Sequence, residues 1–336
     1  MKNRIKKALT FLMTFIIASV VALAAYPDRD INLKVPYNPG GSTDLTGRAL
    51  GESMGKALGV NFIVTNTPGA GGATGSAQIY NGPKDGYNVL ANGMMAFVGM
   101  PVMDTLKTTI DEWEFWLATF TPNVVVVRAD SPYKTVEDLL KGFKDNPGKI
   151  TVGTAGPGTG GHVGIEVLRS GSPFEYKHVP YPGGSAAITA CLSGEVEVTT
   201  QLLVEMEDMI KAGKLRALAA LTPDDIVIKD GPVIPSILKS VPGLKASVPM
   251  GETTGFAVPK GVPAEALAKL DEAFEKALKD KAFLDFCASK GFIVVGLGRG
   301  PAVPYMQSLA SVVTWILQDA GVTKKSPEEF KIPRVK

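Results

Sequence analysis

The segment INLKVPYNPGGSTD, residues 31–44, places an apolar alternation typical of a β-strand directly before a glycine-rich loop and the start of a helical pattern. The segment ITVGTAGPGTGGH, residues 150–162, has the same order of strand, glycine-rich loop and helix. Glycines let the backbone approach a ligand closely, and the free N–H groups that begin a helix favour a negative charge. The two segments therefore predict an α/β fold in which glycine-rich loops bind an anion.

The rest of the chain alternates short β-branched runs with longer amphipathic segments, which is typical of a parallel or mixed sheet wrapped by helices. The pattern predicts strands over Ile31–Val35, Asn61–Thr65, Asn88–Ala91, Val124–Arg128, Ile150–Gly153, Tyr176–Val179, Val196–Thr200, Arg216–Leu221, Thr254–Val258 and Phe292–Val295. It predicts helices over Asp44–Leu58, Gly72–Tyr80, Thr135–Asn146, Gly161–Ser170, Ala186–Leu192, Val204–Ala212, Ala264–Lys281 and Pro301–Ala320. We therefore expect α/β structure throughout.

Four glycine-rich loops stand out, and most of them join a predicted strand to a predicted helix. They are a first loop of residues 35–44, a second of 67–75, a third of 153–162 and a fourth of 180–185. Open α/β sheets bind ligands beyond the carboxyl ends of their strands, where all four loops should lie. A tight turn or a helix cap explains the glycines of any single loop. The first and third loops together favour ligand binding.

Several side chains of these loops are candidate ligand contacts. Ser42 adds a hydroxyl donor, whereas Asp44 would repel a bound anion and is predicted to cap the helix or to orient the first loop. His162, at a helix start, could donate a hydrogen bond to a ligand or only cap the helix. Met94 follows the strand that ends near Ala91, so its side chain could pack over an apolar part of a ligand or lie in the core.

Residues 1–25 are predicted to be an export signal. A basic start precedes the uninterrupted apolar run Ala8–Leu23, and small residues at Ala24 and Ala25 fit a cleavage site. The alternative is a retained N-terminal anchor, since the run is nearly long enough to span a bilayer. We favour cleavage near Ala24 or Ala25 and a periplasmic protein.

The charge of the mature chain argues against nucleic acid as a partner. Removing the four basic residues of the signal from the 35 Lys and Arg leaves 31 against 33 Asp and Glu, a formal net charge of −2. Nucleic-acid binding requires a concentrated basic face, and no Lys/Arg block occurs.

About 310 mature residues exceed what one hydrophobic core usually covers, so we expect two lobes. Cys191 and Cys287 lie far apart in apolar contexts and are predicted to be separate buried thiols in different lobes. A disulfide remains the alternative in an oxidising compartment.

A glycine motif in the third loop supports one alternative interpretation, that the chain is an enzyme. The pattern Gly156-x-Gly158-x-x-Gly161 matches a dinucleotide fingerprint, which would make the chain an exported NAD-linked enzyme. Pro157 stiffens that loop, and an exported protein has little nicotinamide cofactor to use. The two histidines, His162 and His178, have no acid or cysteine at metal-ligand spacing, and no nucleophile elbow occurs. We therefore expect no cofactor, no metal and no catalysis.

Several motifs along the mature chain resemble the Bug receptors, the extracytoplasmic substrate-binding subunits of tripartite tricarboxylate transporters. The matching residues are Tyr26-Pro27, Val35-Pro36, Pro39-Gly40-Gly41-x-x-Asp44 with Arg48, Asn66-x-Pro68-Gly69-Ala70-Gly71-Gly72 with Gly75, Asp85-Gly86-Tyr87, Gly153–Gly161 with His162 and Glu166, His178-Val179-Pro180-Tyr181 with Gly183-Gly184, Gly194-x-Val196, and Gly255-Phe256-Ala257-Val258-Pro259 with Gly261 and Pro263-Ala264. The resemblance implies a type II periplasmic-binding-protein fold, in which two α/β lobes with mixed sheets are joined by two crossing hinge strands.

The resemblance also implies an organisation and a ligand. Lobe 1 would comprise residues 26–124 and 253–336 and lobe 2 residues 125–252, with Val124–Arg128 and Thr254–Val258 as the crossing strands. The clamp would close on a small di- or tricarboxylate and deliver it to integral membrane subunits of the transporter, with a monomer as the default because both lobes must move. Met94 and Met95 depart from the Ser or Thr that relatives often have there, so a dicarboxylate with an alkyl or aromatic body is an alternative to citrate. A receptor that feeds a sensor kinase is the alternative. The candidate ligand-binding residues are Tyr37, Asn38, Gly40, Gly41, Ser42, Asp44, Met94, Thr154, Gly156, Pro157, Gly158, Thr159, His162 and Tyr181.

Overall fold

The computed structural model describes residues 26–334 of the chain. The predicted export signal, residues 1–25, lies outside the described residues. Within residues 26–334, no helix combines the length and the apolar character needed to cross a bilayer.

The described chain alternates strands and helices as the sequence predicts. The strands are β1 Ile31–Val35, β2 Phe62–Asn66, β3 Asn88–Gly93, β4 Trp113–Pro122, β5 Val124–Arg128, β6 Thr151–Thr154, β7 Lys177–Pro180, β8 Val198–Thr199, β9 Leu215–Ala220, β10 Ile226–Val227, β11 Val233–Ile234, β12 Gly251–Pro259 and β13 Ile293–Leu297. The α-helices are α1 Ser42–Leu58, α2 Ala73–Tyr80, α3 Met94–Val102, α4 Val136–Asp145, α5 Gly160–Gly171, α6 Gly184–Ser193, α7 Leu203–Lys211, α8 Ala264–Ala277, α9 Lys281–Lys290 and α10 Arg299–Asp319.

One sheet has six strands in the order β13-β4-β12-β3-β1-β2. Strand β1 pairs in parallel with β2 and β3, whereas β12 pairs antiparallel with β3 and β4, so the sheet is mixed. The apolar alternation in the sequence of β1 predicts one buried face, and Ile31, Leu33 and Val35 on that face are fully buried. Helices α1 and α8 cover this face of the sheet.

The other large sheet has five strands in the order β7-β6-β8-β5-β9. Strands β6, β7 and β8 run parallel, and β5 pairs antiparallel with β8 and β9, so this sheet is also mixed. All four valines of Val124–Val127 are fully buried, since both faces of β5 are covered. The predicted α/β architecture with two mixed sheets is confirmed.

The chain passes from one sheet to the other at two places that lie side by side. The backbone N–H of Asn123, between β4 and β5, donates to the Met250 carbonyl at 3.0 Å. Met250 directly precedes β12, and its own N–H donates to the Leu221 carbonyl at 2.8 Å. These crossings lie beside the predicted lobe boundaries after residues 124 and 252. The division into lobes stays a prediction.

Several elements differ from the sequence prediction, among them the short strands β10 and β11, which were not predicted. Strand β4 was not predicted, because its sequence WEFWLATFTP is buried on both faces and does not alternate. Helix α3 was not predicted either, because MMAFVGMPV is apolar on every side and shows no helical periodicity. The predicted helix Ala264–Lys281 begins where expected, but its predicted end is wrong, since α8 ends at Ala277 and Asp280 caps a new helix by accepting from the Ala282 N–H at 3.2 Å.

The two cysteines are free and buried. Cys191 packs in the apolar cluster on the five-stranded sheet, and Cys287 packs in the cluster on the six-stranded sheet. The prediction of separate thiols is confirmed.

Candidate functional site

The four glycine-rich loops meet in two pairs between the two sheets. The first and second loops follow β1 and β2 of the six-stranded sheet, and the third and fourth follow β6 and β7 of the five-stranded sheet. The Asn38 N–H donates to the Pro182 carbonyl at 3.1 Å, and Ser185 Oγ donates to the Pro39 carbonyl at 3.2 Å. The first loop therefore lies against the fourth.

The second and third loops touch through backbone atoms. Gly71 has a φ of 62°, and a Cβ at this position would lie 2.5 Å from the carbonyl oxygen of Pro157. Gly156 has a φ of 116°, and a Cβ there would lie 3.2 Å from the Gly71 Cα. A side chain at either position would push the loops apart, so these two glycines allow the closed arrangement.

Asp44 is buried behind the first loop and accepts hydrogen bonds from three directions. Its Oδ2 accepts from the Gly40 N–H and from Arg48 Nε, both at 3.0 Å, and its Oδ1 accepts from Asn66 Nδ2 at 2.9 Å. Burial alone would raise the pKa of Asp44, but the hydrogen bonds from Arg48, Asn66 and Gly40 outweigh it and lower that pKa. Asp44 is therefore an ionised group that holds the backbone of the first loop.

His162 holds the third loop in a comparable way. Its Nδ1 accepts from the Gly158 N–H at 3.0 Å, and its ring stacks on His178 at a centroid distance of 4.3 Å. Burial, with a smaller effect of His178, lowers the pKa of His162 to about 3, so the imidazole is neutral. The Thr159 hydroxyl donates to the Gly156 carbonyl at 2.7 Å and closes the same loop.

A small pocket of about 30 Å³ lies where the loops meet. A volume of this size holds one or two water molecules. It is lined by Tyr37, Gly41, Ser42, Thr43, Ala155, Thr159, Gly160, Gly161, Gly184, Gln201, Leu202, Glu205 and Glu252. Of the predicted site residues, Tyr37, Gly41, Ser42 and Thr159 are brought together here.

The remaining predicted site residues lie around the pocket without lining it. Besides Asp44 and His162, they include Asn38, Gly40, Gly156 and Gly158, whose backbones form the first and third loops. Thr154 Oγ1 is hydrogen-bonded to His178 Nε2 at 2.6 Å behind the third loop.

The other three predicted site residues, Pro157, Tyr181 and Met94, have side chains that lie outside the pocket. Pro157 is exposed. Tyr181 Oη donates to Glu195 Oε1 at 2.7 Å, outside the pocket. The Met94 side chain is fully buried in the core at the start of α3, so it adds no apolar surface to the pocket.

Glu205 reaches into the pocket from α7, beside the five-stranded sheet, and touches the start of α1 on the other side. Its Oε1 accepts from the Ser42 N–H at 2.6 Å. The residue as a whole is half-buried, but its Oε2 is closed off from solvent. Burial raises the pKa of Glu205 to about 7, although hydrogen bonds from Ser42 act against this. The carboxylate occupies a helix N-terminus, a position that favours an anion.

Glu252 enters the pocket from β12 and joins two further helix starts. Its Oε1 accepts from the Met95 N–H at 3.0 Å, and the N–H groups of Met94 and Gly160 also donate to its carboxylate. Burial raises the pKa of Glu252 to about 8, against the effect of these backbone donors. Glu205 and Glu252 thus each connect a helix of one sheet with a helix of the other.

The sequence prediction missed Glu205, Gln201 and Glu252. Glu205 opens a helix that also carries Glu207 and Asp208, and such a run is typical of a solvated face. The irregular stretch before Thr254 concealed Glu252, although a charged residue in a strand of small and apolar residues is a signal of a site. Within residues 26–334 no cluster of His, Cys, Asp and Glu has the arrangement of a metal site.

Comparisons with known proteins agree on one family. The model of the tripartite tricarboxylate transporter family receptor matches residues 46–308. A UPF0065 protein of Bordetella pertussis is 31% identical over 82% of this chain and 84% of its own length. The protein BugT of the same organism is 28% identical over 84% of this chain and 86% of its own length.

A comparison of structures gives the same result. The periplasmic binding protein BugD superposes with a TM-score of 0.82 at 25% identity, covering 89% of this chain and 99% of BugD. The fold of this chain is therefore that of the periplasmic binding proteins, as the sequence predicts.

Proposed function

The chain belongs to the tripartite tricarboxylate transporter receptor family, the Bug receptors, and on this premise we propose that it captures a small carboxylate in the periplasm and delivers it to integral membrane subunits. The family is one of substrate-binding receptors and not of enzymes. The proposal includes an export signal at residues 1–25 and a monomer whose two lobes close on the ligand.

The observation that carries the proposal is the convergence of helix N-termini on one pocket. Helices α1 and α3 begin there from the six-stranded sheet, and α5 and α6 begin there from the five-stranded sheet. The N-terminus of a helix offers free N–H donors and a partial positive charge, which together favour a carboxylate. That the chain's own carboxylates, Glu205 and Glu252, accept from these N–H groups supports this chemistry.

A binding screen tests the proposal. Residues 26–336 are refolded to remove carried-over ligand and titrated with mono-, di- and tricarboxylates by thermal shift and calorimetry. A ligand at a hundred times its Kd adds about 2.7 kcal/mol to the free energy of unfolding, which a thermal shift resolves. We expect one class of carboxylate to bind. If no carboxylate binds, the proposal is wrong.

Two variants locate the binding in the pocket. Gly41→Leu places a side chain whose Cβ lies 3.1 Å from Glu205 Oε1, and Gly156→Leu pushes the third loop from the second, so both should abolish the shift. Gly300→Ala is the control, because a Cβ there meets nothing within 4 Å. Delivery is tested by uptake into vesicles that contain the transporter's membrane subunits, with and without this receptor.

A further inference from the structure

The third loop contains a buried backbone N–H that depends on a side chain for its acceptor. Gly158 has a φ of 73°, and its N–H donates to Nδ1 of His162 at 3.0 Å. A buried N–H without an acceptor is costly, so this hydrogen bond fixes the shape of the loop. The loop leads directly into α5, whose first residues Gly160 and Gly161 line the pocket. The shape of the pocket on this side therefore depends on His162 as an acceptor.

His162 can accept through Nδ1 in one tautomer alone. A neutral imidazole has a single N–H, so the proton must be on Nε2 when Nδ1 accepts from Gly158. The other neutral tautomer would direct a second N–H at the N–H of Gly158. The protonated ring is excluded at neutral pH, because His162 is 2% exposed and burial lowers its pKa to about 3. The choice between the two neutral tautomers thus decides whether the loop is held.

Glu166 lies on the Nε2 side of this imidazole. It follows His162 by one turn of α5, so the two side chains share one face of the helix. Glu166 Oε1 is 3.7 Å from His162 Nε2, and both side chains are 2% exposed. In a buried environment of low dielectric, a carboxylate at this distance favours the proton on the nitrogen that faces it. The position of Glu166 therefore favours the tautomer that Gly158 requires.

Two other residues hold the carboxylate of Glu166 in place. Tyr176 Oη donates to its Oε1 at 2.6 Å, and Arg169 Nε forms an ion pair with its Oε2 at 2.7 Å. Burial raises the pKa of Glu166, whereas Tyr176 and Arg169 act in the opposite direction by stabilising the ionised form. Glu166 does not line the pocket. It is a fixed, buried carboxylate one step behind the binding loop.

We propose that Glu166 is a positioning residue for ligand binding, which fixes the tautomer of His162 and, through the Gly158 N–H, the third loop. The inference rests on the proposed function and adds to it a residue that does not contact the ligand. Burying a carboxylate is costly even when it is paired. Control of the imidazole gives this buried acid a role in binding.

A purely structural role for Glu166 makes a different prediction. Through Tyr176 and Arg169 the carboxylate also connects α5 to the start of β7 and to the Ala320 carbonyl, which accepts from Arg169 at 2.9 Å. If these connections were its whole role, replacing Glu166 would lower the free energy of unfolding and leave the tautomer of His162 unchanged. The tautomer is therefore the measurement that separates the two roles.

Nitrogen-15 NMR of the imidazole rings measures the tautomer in the ligand-free protein. The chain has two histidines, His162 and His178, so residues 26–336 without a histidine tag give two sets of ring signals, which His178→Gln assigns. We expect His162 to carry its proton on Nε2 at pH 7. A proton on Nδ1 in the wild-type protein overturns the inference, and this result needs no variant of Glu166.

Two variants of Glu166 test the cause of that tautomer. Glu166→Met removes the carboxylate but keeps an unbranched side chain, so the two nitrogen signals of His162 should shift toward each other as both tautomers become populated. Affinity for the bound carboxylate, measured by calorimetry, should fall about tenfold or more. Glu166→Gln keeps an oxygen toward Nε2 and should restore both the tautomer and the affinity. A folded Glu166→Met variant with the wild-type tautomer contradicts the inference, whatever its affinity.

Glu265 is the control position. It is exposed on α8 and does not line the pocket, so Glu265→Met and Glu265→Gln should leave both the tautomer and the affinity unchanged. The two readouts also separate this inference from the proposed function. If no carboxylate binds the wild-type protein, the proposed function is wrong, whereas the NMR signals of the ligand-free variants still decide whether Glu166 fixes His162.

Discussion

Asp44 links three separate parts of the chain behind the first loop, through Gly40, Arg48 and Asn66. Asp44→Ala should lower the free energy of unfolding by about 2 kcal/mol, because the Gly40 N–H and the Asn66 amide lose a buried partner. Folding lowers the pKa of Asp44, so its contribution is present above the ordinary pKa of 3.8 and is lost as the pH falls through the folded value. Urea unfolding at pH 7 and pH 3 measures both effects.

Glu52→Ala is the control for this variant. Glu52 lies on the same helix and forms an exposed ion pair with Lys56, which contributes less than about 1 kcal/mol. If Asp44→Ala is as stable as Glu52→Ala at pH 7, the hydrogen bonds to Asp44 do not stabilise the first loop.

Glu205 and Glu252 should have the opposite dependence on pH. Burial raises their pKa values from 4.5 to about 7 and about 8. Between pH 4.5 and pH 8 the folded chain keeps protons that the unfolded chain has released. The free energy of unfolding of the ligand-free protein should therefore fall as the pH rises through this window, by an amount on the order of a few kcal/mol. Urea unfolding at half-unit pH steps measures it.

A double variant tests the origin of that slope. Glu205→Gln with Glu252→Gln removes both titrating groups and should flatten the curve between pH 5 and pH 8, whereas Glu265→Gln should leave it unchanged. A slope that survives in the double variant would assign the pH dependence to groups outside the pocket.

At the scale of elements, the contact between the second and third loops depends on Gly71. Gly71→Ala places a Cβ 2.5 Å from the Pro157 carbonyl, so the loops must separate, and ligand affinity should fall about tenfold or more. Gly59→Ala is a close control, because Gly59 also has a positive φ, 75°, but its Cβ would meet nothing within 4 Å. Both variants should lose about 1 kcal/mol of stability to backbone strain. Calorimetry measures the affinity of each variant for the bound carboxylate. Equal affinities of Gly71→Ala and Gly59→Ala would show that the contact between the second and third loops does not control ligand binding.

Local patterns predicted most elements of the fold. The bounds of β1 and β5 are those expected from the sequence, and α4 begins at the expected capping box, in which Thr135 accepts from the Asp138 N–H. Helix α3 and strand β4 escaped prediction because a segment buried on all sides carries no periodicity. Periodicity detects an element through the contrast between its two faces.

The site was harder to predict than the elements. The first and third loops are continuous segments with recognisable glycines, so Ser42 could be named from the loop itself, and Tyr37 and Thr159 from the family resemblance of these segments. Glu205 and Glu252 lie far from these loops in the chain and meet them only because β8 ends and β12 begins at the same crevice. The spacing of residues in a single sequence does not predict that these two glutamates contact the loops.

At the scale of the whole molecule, the two sheets share one apolar core. The largest cluster joins Phe115 and Leu117 of β4 to Val125 and Val127 of β5. Helix α10 belongs to the same cluster and also contacts the half of the molecule built on the five-stranded sheet. There an Arg169 nitrogen on α5 donates at 2.9 Å to the carbonyl of Ala320, the residue directly after α10. A shared core of this kind couples the unfolding of its two sides.

The two buried thiols report on that coupling. Cys191 and Cys287 lie in clusters on different sheets, and burial raises their pKa values to about 12 and about 11, so neither is a reactive thiolate in the folded chain. We expect a thiol reagent to label neither in buffer and both over the same range of urea concentration. Labelling of one thiol at distinctly lower urea would show that the halves unfold separately.

Met306 is the residue of α10 that tests the coupling directly. It is fully buried in the shared core, so Met306→Ala should lower the free energy of unfolding by about 2 to 5 kcal/mol and separate the urea ranges in which Cys191 and Cys287 become labelled. Val303→Ala, on the same helix but with a side chain that is 46% exposed, should leave the two ranges together. Because α10 touches both halves, the packing at Met306 transmits stability from one sheet to the other. If the thiols are still labelled together in Met306→Ala, the crossings at Asn123 and Met250 are sufficient to couple the halves without α10.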